Sequence, residues 1–202
     1  GQGASALTAS FRDLDLDVAL AAYEREPLTF AAWQQGDVRL TRASPTAPMA
    51  LTASGRSTAL ARADRVAVDG RWNAALENGR WFVRHDHQLL DAARAYGTMA
   101  WTEDVDPARS TLSGPLTLEV SHVGAVVAAA RRSGIALSAP LVGITGPATG
   151  TLAMDGSLER MIIRGRVESD ALMLPSGQPA TASADIVYDG DSLRAAPFAL
   201  GT

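Results

Sequence analysis

Cysteine is absent from the 202 residues, which excludes disulfides, thiol nucleophiles and cysteine-based zinc sites. Lysine is also missing, so all 18 positively charged residues are arginine, and they are spread along the chain without a basic stripe. Nucleic acid is therefore not an expected partner, because binding of phosphates needs clustered cations. No run approaches the roughly 18 consecutive apolar residues of a membrane-spanning helix, and residues 1–5 do not resemble a signal peptide.

Aromatic residues are scarce, at 5% of the chain, although 47% of the residues are hydrophobic and 20% are charged. These proportions are typical of a folded globular protein rather than of a disordered one. Alanine, valine and leucine make up most of the apolar fraction. This composition favours strands that pack through small aliphatic side chains over a core centred on aromatic rings.

Apolar and polar residues alternate through most of the sequence, in short runs bounded by glycine and aspartate. In one such run, Met161, Ile163 and Val167 fall on one side of the alternation, and Arg164 and Glu168 fall on the other. A period of two residues is the signal of an antiparallel strand with one apolar face. The sequence therefore predicts a mainly β protein with one or two short helices.

Turn signals divide these runs into a series of hairpins. An Asp-Gly or Asn-Gly pair is the strongest short signal of a two-residue hairpin turn. We therefore expect turns at Asp69-Gly70, Asn78-Gly79, Asp155-Gly156 and Asp189-Gly190, and a longer turn at residues 175–177.

The hydrophobic period changes to that of a helix at residues 16–25 and 121–133. In the second segment Val123 and Val126 fall on one face, and Ser121 is the candidate N-cap. A strand before each helix and hairpins after it indicate a repeat of about 110 residues, longer than common solenoid repeats. The predicted units span residues 1–111 and 112–202.

The segment Arg84-His85-Asp86-His87 is the most conspicuous polar cluster in the sequence. Two histidines at i and i+2 on a strand point to the same face and could share a metal ion. Catalytic zinc sites need three protein ligands, and Asp91 is the only nearby candidate for the third. We therefore expect no metal here, and interpret the histidines as polar residues on a solvated hairpin, with a metal site as the alternative.

Three other patterns carry weak functional signals. Residues 13–24 resemble a calcium loop, but Val18 stands where such a loop requires glycine. The glycine-rich residues 143–150 lack the Lys-Ser/Thr ending of a phosphate loop. The four tryptophans, which could stack on sugars or fill a core, are Trp33, Trp72, Trp81 and Trp101. We expect no catalytic residue and no cofactor.

The order of features along the chain resembles a known family. Residues 11–20 resemble an element of AsmA-like proteins and of the translocation and assembly module protein TamB. Residues 150–158 resemble a strand pair of the same proteins, and residues 165–167 and 184–190 are similar to the strands after that pair. The resemblance implies an elongated antiparallel sheet curled into a groove with an apolar inner face.

This resemblance implies a periplasmic protein that is anchored to the inner membrane through a segment outside this chain. It would conduct phospholipids between the inner and outer membranes or support outer-membrane biogenesis. The implied partners are phospholipid acyl chains and an outer-membrane assembly protein. The alternating strands predict the lipid-binding residues, which are Leu152, Met154, Met161, Ile163, Val167, Ala184, Ile186 and Leu200.

Two other classes of protein remain open from the sequence. The same apolar faces could close on each other in a β-sandwich, as in an extracellular binding or adhesion module. An enzyme is the third class, and it would need polar groups that converge in a pocket. Alternation along a strand does not distinguish a groove from a sandwich.

Overall fold

The computed structural model describes residues 4–15, 30–61, 67–77, 80–89, 91–102, 109–132, 136–137, 143–157, 160–189 and 192–201. These residues form twelve strands and one helix. The strands are β1 (Ser5–Asp15), β2 (Phe30–Arg42), β3 (Met49–Ala61), β4 (Ala67–Glu77), β5 (Arg80–Leu89), β6 (Ala93–Thr102), β7 (Thr111–Val120), β8 (Ala136–Leu137), β9 (Ala148–Ser157), β10 (Met161–Met173), β11 (Pro179–Tyr188) and β12 (Ser192–Gly201). The helix, α1 (Val123–Arg132), follows β7.

All the strands belong to one open sheet, in the order β1-β2-β3-β4-β5-β6-β7-β9-β10-β11-β12-β8. Every neighbouring pair is antiparallel except β12 and the two-residue β8, which pair in parallel. The predicted fold class, a mainly β protein of antiparallel strands with few helices, is confirmed. The helix expected at residues 121–133 is observed as α1, whereas the one expected at 16–25 lies outside the described residues.

The sheet is continuous across the predicted boundary between the two units. Strand β7 begins at Thr111, and it pairs with β6 on one side and β9 on the other. The division into residues 1–111 and 112–202 therefore does not coincide with a gap between sheets. It stays a prediction about sequence repetition.

Two of the expected hairpin turns are wrong. Asp155 and Gly156 lie within β9, where Gly156 pairs with Met161 of the next strand. Gly70 lies within β4, where a Cβ atom would stand 2.2 Å from the ring of His87. At this position glycine makes room for a neighbouring side chain rather than for a turn.

The other turn predictions have mixed outcomes. The turn at residues 175–177 is confirmed, since Gly177 has a φ of 79° and its N–H donates to the carbonyl of Leu174. The chain also reverses after β11, where β12 pairs antiparallel with it and a carboxylate oxygen of Asp189 accepts from the N–H of Ser192 at 2.9 Å, but Gly190 of the expected Asp189-Gly190 turn lies outside the described residues. Asn78-Gly79 lies outside the described residues.

The register of the sheet collects apolar side chains on one face. Residues that are paired across antiparallel strands point to the same side. One row of paired residues runs through Leu7, Leu40, Leu51, Leu76, Trp81, Trp101 and Leu112. Two strands further on, Met161 of β10 lies on the same side. We call this side the apolar face and the opposite side the polar face.

Tight burial of apolar side chains is concentrated in the region where α1 meets the apolar face. Val123 and Val126 of the helix pack against a buried cluster of Ala93, Val120 and Ala148. Most other apolar-face side chains in the described residues are only half-buried. A face covered by a second sheet would be buried along its length. The helix therefore covers only part of the apolar face.

The helix starts differently from the expectation. The backbone carbonyl of His122 accepts from the N–H groups of Ala125 and Val126, so His122 occupies the N-cap position. The hydroxyl of Ser121 instead donates to the carbonyl of Ala92 at 3.0 Å. The prediction of Ser121 as N-cap is therefore wrong, because its hydroxyl joins the helix start to the sheet.

No helix in the described parts of the chain is long and apolar enough to cross a membrane.

Candidate functional site: the apolar face

The register brings the predicted lipid-binding residues together on the apolar face. Ile163 of β10 pairs with Met154 of β9, and Val167 pairs with Ala184 of β11. Gly165 lies between Leu152 and Ile186, so their side chains approach across it. Met161 lies two residues before Ile163 on the same side of β10. The backbone of Leu200 pairs with that of Ala182, and the side chain of Leu200 lies outside the described residues.

These residues are not equally accessible. Leu152 and Ala184 are buried, at 7% and 8% relative exposure. Met154, Met161, Ile163, Val167 and Ile186 are half-buried. A ligand on this face would therefore contact the second group, with Leu152 and Ala184 beneath it.

A small cavity lies next to α1, where the helix meets the apolar face. Its volume is about 110 Å³, and its lining is almost wholly apolar. The predicted residues Val167, Ala184 and Ile186 line it, as do Val123 of the helix and Ile144. Sequence reasoning did not find Ile144, because the connection from α1 to β9 carries no periodic signal.

The apolar face extends well beyond the predicted residues, into the first half of the chain. Val83 of β5 pairs with Ala74 of β4 and with Met99 of β6. Leu51 of β3 pairs with Leu40 and Leu76 on its two sides. The same alternation that identified the later strands is present here, and it is the signal that could have found these residues.

Two aromatic rings lie over paired glycines on this face. Phe11 and Trp72 stack with their ring centroids 6.5 Å apart and their planes 20° apart. Gly36 and Gly55 pair beneath them, and a Cβ on Gly55 would stand 2.7 Å from the Trp72 ring. The missing side chains let both rings lie against the sheet.

The four tryptophans do not form one platform. Trp81 and Trp101 are paired in the row that begins at Leu7, and Trp72 lies on the same face. Trp33 precedes Gln34 on β2, and the alternation of the strand places it on the polar face. The hypothesis that all four rings form one sugar-stacking surface is therefore wrong.

His85 and His87 lie on the apolar face, half-buried, and this corrects their interpretation as solvated residues. Their Nδ1 atoms are 3.4 Å apart, and the ring centroids are 5.5 Å apart. Burial is the largest influence on both rings, and it lowers the pKa of His85 and of His87 below the ordinary value. Neutral imidazoles are therefore favoured at neutral pH.

Further polar groups lie near the histidine pair on the apolar face. Ser57 pairs with Gly70, which in turn pairs with His87. The Oε1 atom of Gln34 accepts hydrogen bonds from Ser57 Oγ at 2.8 Å and from Trp72 Nε1 at 3.0 Å. We call Gln34, Ser57, His85 and His87 the polar belt, because they interrupt the apolar face across β2, β3 and β5.

A metal site is not supported by the ligand set. The parts of the chain that the structure describes hold no group of three or more His, Cys, Asp or Glu side chains that could bind a metal ion. Asp86, between the two histidines, faces the other way, and Arg94 donates to both of its carboxylate oxygens at 2.8 Å.

The polar face carries ion pairs between strands. Arg56 of β3 pairs with Asp69 of β4. Arg94 of β6 pairs with Asp86 of β5 and lies 3.5 Å from Glu119 of β7. Hydrogen bonds from these arginines lower the pKa of Asp69 and of Asp86. All these groups are exposed, so each pair adds little stability, and this face is a solvated surface.

Comparisons with protein-family models, curated proteins and solved structures found no match for this chain. The resemblance to AsmA-like proteins therefore depends on the sequence features of residues 11–20, 150–158, 165–167 and 184–190.

The lowered pKa values of the two histidines predict how stability depends on pH. Below the ordinary histidine pKa of 6.5, the unfolded chain binds more protons than the folded protein, so lowering the pH destabilises the fold. We expect the melting temperature to fall between pH 7.5 and 5.5. A His85→Leu/His87→Leu variant should lose less over the same interval, and an equal loss would contradict burial of the histidines. Asp69 and Asp86 titrate below this window.

Proposed function

We propose that the apolar face binds lipid acyl chains, and that the chain is a segment of a periplasmic bridge-like protein of the AsmA/TamB type. Such a protein conducts phospholipids between the inner and outer membranes or supports outer-membrane biogenesis. The observation that carries the proposal is an apolar face in which one row runs from Leu7 of β1 to Leu112 of β7, Met154 of β9 and Ile163 of β10 lie on the same side, and most side chains are half-buried. The inner-membrane anchor and an outer-membrane assembly protein as partner belong to the same proposal.

The geometry of the rows suits a linear hydrocarbon. Neighbouring strands lie about 4.8 Å apart, so a row presents an apolar side chain at that interval across the sheet. An acyl chain lying along a row contacts one side chain after another. Each methylene that it removes from water contributes about 0.8 kcal/mol, so the binding needs no polar specificity and no catalytic group.

The distribution of burial favours a groove over a sandwich. Both inner faces of a sandwich are buried against each other. Here the buried apolar residues cluster near α1, among them Ala92, Val120, Ile144 and Leu172. Leu40, Val83 and Ile163, far from the helix along the sheet or the strand, are half-buried. Extended apolar surface of this kind marks a binding site in soluble proteins.

Photo-crosslinking at adjacent residues on opposite faces tests the proposal. We expect p-benzoylphenylalanine at position 163 to crosslink to lipid in bacterial cells, because Ile163 lies on the apolar face. The same group at Ile162, on the polar face of the same strand, should crosslink at least tenfold less. Val83 and Phe82 make an equivalent pair on β5. The measurement is mass spectrometry of the crosslinked adducts.

The face-specific pattern decides the result. Equal lipid adducts at positions 162 and 163 would indicate nonspecific adsorption of lipid. Crosslinks from position 163 to protein alone would indicate that another polypeptide covers this face, as in an adhesion or interaction module. Either result would overturn the proposed function.

A further inference from the structure

The polar belt sits where an acyl-binding surface would be expected to stay apolar. Along β5, the apolar-face positions are occupied in turn by Trp81, Val83, His85, His87 and Leu89. Two imidazoles therefore replace aliphatic side chains in the middle of the strand, with apolar residues on both sides. Purely hydrocarbon ligands give no reason for this interruption.

The histidine pair also leaves a hydrogen-bonding atom without a partner. The Nε2 atom of His85 is buried and has no hydrogen-bond partner among the described residues. The Nε1 atom of Trp101, on the next strand of the same face, is in the same condition. A buried polar atom without a partner costs about 1 to 3 kcal/mol. Such atoms call for an explanation, and a bound polar group is one.

The chemistry of the pair specifies what it can bind. A neutral imidazole carries one proton, so it has one donor nitrogen and one acceptor nitrogen. If one Nδ1–H donates to the other Nδ1 across the 3.4 Å gap, the acceptor ring must carry its own proton on Nε2. Whichever ring donates, the pair offers one Nε2–H donor and one Nε2 acceptor. Lowered pKa values keep both rings neutral, which suits uncharged oxygen groups rather than phosphate.

We propose that His85 and His87 bind the uncharged oxygen-bearing part of an amphiphile, namely an ester carbonyl, while its hydrocarbon lies on the flanking apolar rows. This assignment rests on the proposed function, since it presupposes that the apolar face holds acyl chains. Gly70 permits it, because a Cβ there would collide with the ring of His87. The polar belt therefore sets the place on the apolar face at which the ester group of an acyl chain lies.

Displacement of a fluorescent fatty acid measures this selection. Purified protein is loaded with cis-parinaric acid at pH 7.5 and titrated with methyl palmitate or hexadecane, each delivered from cyclodextrin. We expect a His85→Leu/His87→Leu variant to bind methyl palmitate at least tenfold more weakly than the native protein. Its affinity for hexadecane should be unchanged, because the apolar rows remain. An Arg84→Leu/Gln88→Leu variant, on the polar face of the same strand, is the matched control and should behave as the native protein.

The outcomes separate this proposal from the one on which it rests. If the histidine variant binds methyl palmitate as the native protein does, the ester site is overturned and acyl binding stands. If the native protein takes up no cis-parinaric acid and binds neither titrant, acyl binding itself fails, and the ester site fails with it. Titration with zinc chloride alone tests the alternative that His85 and His87 bind a metal ion. Zinc binding at micromolar affinity that His85→Leu abolishes, with ester binding unchanged, would assign the pair to a metal and overturn the ester site.

Discussion

Replacing Ile163 by Asp is expected to remove most of the lipid that co-purifies with the protein, at least tenfold, while the chain still folds. Ile163 lies between Met154 and Tyr188 in the register of the sheet, and it is half-buried. A carboxylate there repels an acyl chain, because a charge has to keep its water. In an open sheet the charge reaches solvent when no lipid is bound. We therefore expect a loss of only about 1 to 3 kcal/mol in unfolding free energy.

Val187→Asp is the matched control for this variant. Val187 lies on the polar face of β11, where it pairs with Arg164 and Arg194. The new carboxylate gains two cationic neighbours there, and we expect unchanged stability and unchanged bound lipid. Thermal unfolding and mass spectrometry of organic extracts should be measured on the same preparations.

Two results for Ile163→Asp would contradict the expectation in different ways. Complete loss of folding would favour a closed sandwich, in which the charge is buried without a partner. Unchanged stability together with unchanged bound lipid would remove Ile163 from the lipid path.

Replacing Gly165 by Ala is expected to destabilise the sheet itself. A Cβ at this position would stand 2.2 Å from the carbonyl oxygen of Thr151 and 2.6 Å from the Cα of Leu152. Both atoms belong to the backbone of β9, which cannot rotate away as a side chain can. We expect a loss of about 1 to 3 kcal/mol, the usual cost of overpacking, measured by urea unfolding.

Gly201→Ala provides the comparison for the glycine prediction. A Cβ at Gly201 would approach only the side chain of Thr181, which can change rotamer. Its stability should stay within about 0.5 kcal/mol of the native value. Equal stability of the Gly165 and Gly201 variants would mean that β9 and β10 do not pair in the register described here.

The predicted lipid-binding residues show which features of a strand the alternation of apolar and polar residues can predict. On β10 the side of each residue follows from its position alone, because successive side chains on a strand point to opposite faces. This rule correctly placed Met161, Ile163 and Val167 on one side and Arg164 on the other. It did not reveal that Leu152 and Ala184 are buried while their neighbours are half-buried, because burial depends on what lies above the strand. Ala184 lines the cavity with Val123 of α1 and with Ile144, and the side chain of Leu152 lies over Gly165.

Glycine was the main source of error in the turn predictions. An Asp-Gly pair favours a two-residue turn through local backbone preferences. At Gly70 packing overrides the turn preference, because the ring of His87 occupies the space that a side chain at this position would need. Gly156 likewise continues β9 instead of turning. Whether each glycine turns or continues its strand depends on residues of the neighbouring strand, and a signal from adjacent residues in the sequence does not contain that information.

The sequence by itself determined that the chain forms antiparallel strands with one apolar side, and that a helix interrupts them near residue 123. Those features depend on periodicity and local propensity, which act within a few residues. Only the tertiary structure decided that His85 and His87 share the apolar side with Trp72 and Gln34. The physical reason is the register, since pairing across strands joins residues that are distant in the chain, and one residue of shift would turn the whole of β5 over.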